Sequence, residues 1–274
     1  MTGSVPPKVR LLALDVDGTL LDSSHRLTRA ACGAVREAAR AGVRIVLTSG
    51  RSPSGLRPIV RELGIVGYSV AFSGALRCRT FPDRPADSVS GERMDLLDAR
   101  EVAVRGRELG VSVAWWDTEE WYVDAEYPPV VHEAGVIGLR PLVRDLSRLE
   151  IAPFKLQCMV GMEDIDRLQA LRGSCPRTLG VSFSNSNYLE VVRAGTDKAR
   201  SLARLGEQMG VSLSEMAAIG DGENDLPMLA EVGLGIAMAN ASPSVRGAAA
   251  WVTKSNDDEG VALAIERMRG EGRF

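Results

Sequence analysis

Acidic residues follow apolar segments at two distant places in this chain. Residues 11–14 are apolar and lead into Asp15 and Asp17 within the sequence DVDGT, and residues 216–220 lead into Asp221 and Asp225 within GDGEND. Two carboxylates in one short turn repel each other unless a cation lies between them or one of them carries a proton. The pattern therefore indicates a metal ion, an anionic substrate, or both. DVDGT alone could also be an ordinary turn, because Asp and Gly favour turns.

Further polar groups suited to phosphate follow other apolar segments. Residues 43–47 lead into a turn that contains Ser49 and Gly50, Lys198 lies in the sequence GTDK, and Asn224 lies within GDGEND. Carboxylates select hard cations, and a lysine and backbone N–H groups neutralise phosphate charge. The carboxyl ends of parallel strands share one edge of a sheet, so these groups could meet there. We interpret the set as the equipment for phosphoryl transfer assisted by Mg²⁺.

The elements that must position these residues alternate between strands and helices. Helical spacing is found at residues 27–41 and 52–63, and these segments separate the predicted strands 11–15, 43–48 and 68–72. The alternation resumes near residue 188, with predicted helices at 196–210, 226–232, 245–250 and 261–269 and strands at 216–221 and 234–238. This order predicts an α/β fold with a doubly wound parallel sheet.

The middle of the chain has a different pattern. Residues 81–91 are rich in Pro, Asp and Ser, which is typical of a linker, and the strands that follow are close together with separate helices. We predict a core domain over residues 1–81 and 187–274 with an α+β domain inserted over residues 82–186. We interpret Trp115, Trp116 and Trp121 of the insert as core packing with one exposed ring, and substrate stacking is the alternative.

Composition limits the classes of protein that this chain can represent. Of its 274 residues, 45% are apolar and 25% are charged, which is ordinary for a globular protein. The net charge of −3 argues against nucleic-acid binding, and four cysteines without a CxxC pair indicate free thiols. Neither a membrane-spanning segment nor a signal peptide is expected. We expect a cytoplasmic protein that is a monomer or a homodimer.

The order and spacing of these segments resemble the haloacid dehalogenase superfamily of phosphatases, and more narrowly its Cof-type sugar-phosphatase branch. The resemblance rests on DVDGTLLDS, LTSGR, GTDKARSL and GDGENDLPML, and on the tail segments 235–241, 252–256 and 260–262. Each motif is weak alone, but the complete set in this order is specific. It implies a Rossmann-like core that carries the active site, and a cap domain that corresponds to the insert.

The resemblance also implies catalytic roles. Asp15 would be the nucleophile that forms an aspartyl-phosphate. Asp17 would protonate the leaving oxygen and then activate water. Lys198 would offset the negative charge of Asp15 and of the phosphoryl oxygens, although a lysine on an amphipathic helix is more commonly a surface residue.

Phosphate and metal ligands are implied in the same way. Ser49, Gly50, Lys198 and Asn224 would bind the phosphate, although Ser49 could be only a hydroxyl near a helix start. Mg²⁺ would be bound by Asp15, Asp221 and the backbone carbonyl of Asp17. Asp225 would support the metal from outside its ligands, and we also expect it to be the N-cap residue of the helix at Leu226. The roles of Arg51 and Ser73 stay open, since the family often has Asn where Ser73 stands.

We therefore expect a Mg²⁺-dependent phosphatase that acts on a small phosphorylated metabolite, with a sugar phosphate as the first candidate. A phosphomutase or a pyridoxal-phosphate-type phosphatase would use the same fold. A non-catalytic binding protein is the alternative from a different class, and the presence of both Asp15 and Asp17 argues against it.

Overall fold

The computed structural model describes residues 8–274 and divides the chain into two compact units. One unit extends to Val89 and resumes over Asp197–Phe274, and the other is Ser90–Thr196. Both boundaries lie later in the chain than the sequence predicted. The expectation that the N terminus holds no signal peptide concerns mainly residues 1–7, which lie outside the described residues.

An eight-stranded sheet organises the first unit. From one edge to the other its strands are β14 (Trp251–Val252), β13 (Leu234–Ala237), β12 (Met216–Gly220), β1 (Leu11–Asp15), β2 (Arg44–Thr48), β3 (Gly67–Ala71), β4 (Leu76–Thr80) and β5 (Asp87–Gly91). Neighbouring strands from β14 to β3 are parallel, whereas β4 is antiparallel to β3. The doubly wound parallel sheet predicted from the sequence is confirmed.

The interpretation of residues 81–91 as a linker is wrong, because β5 occupies part of this segment. Four of the five residues of β5 are exposed, so the strand lacks the alternation of apolar and polar residues by which a half-buried strand is recognised. β4 was not predicted either. The two strands extend the first sheet beyond β3, which moves the first boundary towards residue 89.

Within residues 8–274, six helices accompany this sheet: α1 (Arg29–Arg40), α2 (Pro53–Leu63), α6 (Lys198–Met209), α7 (Leu226–Glu231), α8 (Pro243–Ala248) and α9 (Gly260–Gly270). Local signals fix the ends of α2 as predicted. The Ser52 hydroxyl accepts the N–H of Gly55, Pro53 is the first helical residue, and the helix ends at Gly64 with φ 62°.

The register of the sheet brings the acidic segments to one edge. All five residues of β1 are buried, and Asp15 at its carboxyl end lies opposite Thr48 at the end of β2. On the other side, Leu14 lies opposite Ile219 near the end of β12. The turns that follow these three strands therefore start at the same level of the sheet.

The second unit contains a six-stranded sheet and three helices. The strand order is β10 (Leu179–Asn185), β11 (Tyr188–Arg193), β9 (Lys155–Met159), β6 (Ser112–Trp116), β7 (Trp121–Val123) and β8 (Leu142–Val143). The helices are α3 (Leu96–Glu108), α4 (Pro128–Ile137) and α5 (Ile165–Ser174). Single-turn 3₁₀ helices cover Phe72–Gly74, Leu146–Arg148, Met162–Asp164, Leu213–Glu215, Glu223–Asp225 and Asn256–Asp258 across the two units.

The sequence predicted that the α/β alternation of the first unit resumes near Tyr188, and this prediction is wrong. β11 begins there and pairs with β9 and β10 inside the second sheet. Helix α4 was also missed; Val130 is its buried residue, and its other residues are half-buried or exposed. The tryptophans are core residues as expected, but none of the three rings is exposed. Their exposed fractions are 0–2%, and Trp116 stacks on Trp121 with ring centroids 5.1 Å apart.

All four cysteines are free thiols, as the sequence indicated. Within residues 8–274, no helix combines the length and the apolar character that crossing a lipid bilayer requires.

Candidate active site

Asp15 ends β1 in a buried environment at the carboxyl edge of the first sheet. Its exposed fraction is 6%. Burial raises the pKa of the Asp15 carboxyl well above its ordinary value, and the negative charge of Asp225 raises it further, while Lys198 acts in the opposite direction. The position is costly for an isolated carboxylate and therefore depends on the cations that surround it.

Lys198 supplies one such cation. It is the first residue of α6 and is 2% exposed, so the alternative of a surface lysine is wrong. Its Nζ donates to Asp15 Oδ1 and to Asp225 Oδ1, each at 2.6 Å. Burial lowers the pKa of the ammonium group, but attraction to Asp15 and Asp225 outweighs burial and raises that pKa above its ordinary value. Lys198 is charged at neutral pH and bridges two carboxylates.

Asp225 is a structural centre of the loop after β12. It is completely buried, and its Oδ2 accepts the backbone N–H groups of Asp221 at 3.1 Å and Gly222 at 3.0 Å. Asp225 is the N-cap residue of α7, as expected, but its side chain makes no capping hydrogen bond. The carboxylate turns back to the loop instead, because Lys198 attracts Oδ1 on the other side.

Asp221 approaches the turn after β1. Thr19 Oγ1 donates to Asp221 Oδ1 at 2.6 Å. Burial raises the pKa of Asp221, and the bond from Thr19 lowers it in part. Gly18 allows this contact, because it has φ +82° and a Cβ at this position would lie 2.3 Å from Asp221 Oδ2.

The carboxylates of Asp15, Asp221 and Asp225 form a group that fits a divalent cation. Each offers an oxygen, and these three atoms lie within 4.8 Å of one another. An all-oxygen donor set of this kind suits Mg²⁺ or Ca²⁺ rather than zinc. Burial raises the pKa values of Asp15 and Asp221, and the neighbouring charge of Asp225 raises both further. Asp225 thus offers an oxygen to the group itself, whereas the sequence analysis placed it outside the metal ligands.

The Asp17 side chain points to a different partner. Arg51 donates to both of its oxygens, from Nε to Oδ2 at 2.9 Å and from Nη2 to Oδ1 at 2.5 Å. His25 Nδ1 lies 3.6 Å from Oδ1. Because the Asp17 carboxylate is 43% exposed, it remains accessible to solvent. The role of Arg51 was left open by sequence reasoning, and His25 is an exposed residue that lies close to Asp17.

Three of the predicted phosphate-binding residues, Ser49, Gly50 and Asn224, follow the ends of β2 and β12 at the same edge of the sheet. Ser49 is 2% exposed, and its Oγ accepts the backbone N–H of Arg51 at 3.1 Å. A Cβ on Gly50 would lie 3.3 Å from Ser73 Oγ, so the turns after β2 and β3 are adjacent. Asn224 is exposed, and its side-chain oxygen lies over Gly222, where a Cβ would be 2.5 Å away.

Sequence reasoning assigned no role to Asn240. Its Nδ2 donates to Gly18 O at 2.8 Å and lies 3.4 Å from Asp221 Oδ2. Its Oδ1 accepts the N–H of Asn256 at 3.2 Å, and Asn256 Nδ2 donates to Leu21 O at 3.0 Å. Both asparagines lie in the tail segments 235–241 and 252–256 that contributed to the family resemblance. That resemblance was the signal in the sequence that could have identified them. Their hydrogen bonds to the carbonyl oxygens of Gly18 and Leu21 hold the turn after β1 in place.

Comparison with known proteins decides the family. The model of the haloacid dehalogenase-like hydrolases matches residues 12–265. The chain belongs to this family. The hydrolase is 32% identical over 255 residues to a Haemophilus influenzae protein provisionally named a phosphatase, across 92% of this chain and 95% of that protein. It is 29% identical over 245 residues to the HMP-PP phosphatase of Serratia proteamaculans, across 86% of each chain.

Solved structures agree with the sequence comparisons. The crystal structure of a haloacid dehalogenase-like hydrolase from Bacteroides thetaiotaomicron has a TM-score of 0.86 and 29% identity to this hydrolase, and covers 95% of this chain and 100% of that one. The resemblance predicted from the motifs is confirmed. Family and relatives together assign this hydrolase to the phosphoric monoester hydrolases.

Proposed function

We propose that this hydrolase is a Mg²⁺-dependent phosphatase that removes phosphate from a small phosphorylated metabolite through an aspartyl-phosphate on Asp15. The observation that carries the proposal is the buried arrangement of Asp15, Lys198 and Asp225, with Asp221 close by. A purely structural ion pair would need one carboxylate for one lysine. Two carboxylates that share one ammonium group, with an oxygen of Asp221 within 4.8 Å of both, are better explained by a site that receives a further cation.

In the first step, a carboxylate oxygen of Asp15 attacks phosphorus and the bond from phosphorus to the leaving oxygen breaks. Lys198 holds Oδ1, so Oδ2 is the oxygen that we assign to the attack. Two anions approach each other in this step, and fixed positive charge is what lowers its barrier. Lys198 provides that charge without reorganisation, because both of its carboxylate partners already fix its position.

Proton transfer is assigned to Asp17. In its protonated form Asp17 donates a proton to the leaving oxygen as the bond to phosphorus breaks. In the second step Asp17 takes a proton from water, the water oxygen bonds to phosphorus, and the bond from phosphorus to Asp15 breaks. Inorganic phosphate leaves, and Asp15 is restored. The partial exposure of Asp17 supports this assignment, since the reacting water must reach it.

The metal ligands that we propose are Asp15, Asp221 and the backbone carbonyl of Asp17, with Asp225 in support. When bound, Mg²⁺ would supply positive charge to the phosphoryl oxygens and to Asp15. The chain itself prepares the ligands. Thr19 orients Asp221, Asn240 fixes the turn that follows β1, and two backbone N–H groups orient Asp225.

The substrate class rests on the relatives and on the resemblance. Similar proteins are named for different phosphorylated small molecules: HMP-PP in Serratia proteamaculans, and 5-amino-6-(5-phospho-D-ribitylamino)uracil in Bacillus subtilis at 25% identity over 261 residues. We keep a sugar phosphate as the first candidate. Choice among substrates is assigned to the inserted unit Ser90–Thr196, where the family resemblance places the cap.

The test is a screen of phosphorylated metabolites that measures phosphate release and reports kcat/KM, with Mg²⁺ and with EDTA. The panel contains sugar phosphates, phosphorylated heterocycles and pyridoxal phosphate. We expect Mg²⁺-dependent release from at least one class and its loss in Asp15→Asn, which keeps the shape of the side chain. Full activity in Asp15→Asn would exclude the covalent route. Turnover that requires a bisphosphate activator and releases no phosphate would indicate a phosphomutase instead.

A further inference from the structure

The turn between β3 and β4 has an unusual backbone at a functional edge of the sheet. Phe72, Ser73 and Gly74 have φ values of 51°, 54° and 112°. Left-handed conformations are unfavourable for Phe and Ser, and they persist only where the surroundings impose them. Something must therefore hold this turn in place.

The start of α6 is the element against which this turn packs. A Cβ at Gly74 would lie 2.4 Å from the carbonyl oxygen of Asp197, so the two backbones are in direct contact. Asp197 is the N-cap residue of α6, and Lys198 is the first residue of that helix. The distorted turn thus touches the peptide group immediately before the lysine of the site.

A buried hydrogen-bond chain strengthens the contact. Ser201 lies three residues after Lys198 in the same helix and is 2% exposed. Its hydroxyl donates to the carbonyl oxygen of Gly74 and accepts from Arg77 Nη1 at 2.9 Å. Arg77 lies on β4 and is 3% exposed. The chain joins β4, the turn and the first turn of α6.

The ion pairs of Lys198 are opposed by the helix terminus on which it lies. The N-terminus of a helix carries partial positive charge, which disfavours a cation there. The Asp197 side chain caps the helix by accepting the N–H of Arg200 at 2.7 Å. This cap fixes the direction of the backbone, but it does not tie the helix to the sheet that carries Asp15.

We propose that Arg77, Ser201 and the Phe72–Gly74 turn form a clamp that sets the position of Lys198 between Asp15 and Asp225. Arg77 and Ser201 are positioning residues, because they act on the reaction through Lys198. Lys198 and Ser201 are spaced i, i+3 on one side of the helix, so a shift at Ser201 is transmitted to Lys198. The catalytic part of the inference rests on the proposed function, and the geometric part does not.

The test compares Ser201→Ala, Arg77→Met and Arg77→Lys with the parent protein. Ser69→Ala is the matched control, because Ser69 is fully buried and bonds to Thr80 on the neighbouring strand at 2.7 Å. The first readout needs no substrate. The chain has only four lysines, so amine labelling followed by mass spectrometry gives a rate for each one. Lys254 is exposed, and Lys155 is a buried, ion-paired reference in the other unit.

We expect Ser201→Ala and Arg77→Met to speed labelling of Lys198 relative to Lys155 and Lys254, with a smaller effect in Arg77→Lys and none in Ser69→Ala. On any phosphorylated substrate that the parent hydrolyses, kcat should fall about 10- to 100-fold, while KM changes less than about 3-fold. A selective rise at Lys198 supports the clamp even if no substrate is found. Unchanged labelling, or an equal rise at Lys155, overturns it.

Discussion

Removal of the lysine at the site tests whether its two ion pairs hold the buried carboxylates. In Lys198→Met, the unbranched side chain fills similar space but provides no charge. Asp15 at 6% exposure and Asp225 at 0% lose a donor that lies 2.6 Å from each of them. The substitution leaves two like charges in a buried place with no cation to separate them.

The magnitude follows from the geometry. At an effective dielectric constant near 20, an ion pair at about 4 Å between charge centres is worth about 4 kcal/mol, and Lys198 makes two such pairs. The substitution also removes the desolvation cost of the ammonium group, which offsets part of this attraction. Removal of one partner from a buried pair typically costs about 3–5 kcal/mol. For a cooperative unit of this size, the loss corresponds to a Tm decrease of roughly 6–20 °C.

The assay is thermal unfolding followed by circular dichroism at neutral pH in EDTA. Arg10→Met is the control, because it also removes a cation, but from an exposed pair with Glu215 at 3.0 Å. The double variant Lys198→Met with Asp225→Asn should recover part of the loss, since one of the two stranded charges is gone. A Tm for Lys198→Met no lower than that of Arg10→Met would refute the reasoning.

Three further predictions concern the turn after β1 and the second unit. Gly18→Ala should raise the Mg²⁺ concentration for half-maximal activity by about 10-fold or more, measured in a metal titration of phosphate release, because its Cβ would lie 2.3 Å from Asp221 Oδ2. Asn240→Ala should have the same effect on a smaller scale, since it removes the 2.8 Å bond to Gly18 O but adds no clash; an unchanged titration curve would contradict this role. Burial and the bond to Glu120 raise the pKa of Tyr122 from 10.0 to about 12. The folded state therefore holds this proton more tightly than the unfolded state, so the stabilisation is complete below pH 10 and is lost as pH rises through about 12. Ultraviolet absorbance titration should find one tyrosine fewer that ionises near pH 12 in Tyr122→Phe than in the parent protein.

Much of the first unit could be predicted from its sequence because its signals are local and strong. β1 is an apolar segment that ends abruptly at Asp15, and α2 is delimited by Ser52, Pro53 and Gly64. In a parallel sheet, strand order and direction fix which turns share an edge. Convergence of Asp15, Lys198 and Asp221 therefore followed from the pattern of elements without any knowledge of distances.

The rest could not be predicted because it depends on partners that are far apart in sequence. The pairing of β11 with β9 fixes the second boundary, and nothing in Tyr188–Arg193 itself indicates which sheet it joins. Asp225 has the local sequence of an N-cap residue, yet its carboxylate turns to Lys198, 27 residues earlier. Tertiary charge outweighs local preference in this case, as buried ions require.

The balance of charge at the carboxyl edge of the first sheet connects the fold with the proposed chemistry. Asp15, Asp221 and Asp225 would carry three negative charges against the single positive charge of Lys198. Burial is the main cause of the raised pKa values of Asp15 and Asp221, and the negative charge of Asp225 raises both further. A divalent cation would neutralise the group, but an incoming phosphate would then restore the negative excess. Arg51 is a further cation at this edge, and it donates to both oxygens of the Asp17 carboxylate. If a bound phosphate paired with Arg51, Asp17 would lose this partner at the stage to which we assign its proton transfer, and phosphate binding would be coupled to acid catalysis through one guanidinium group.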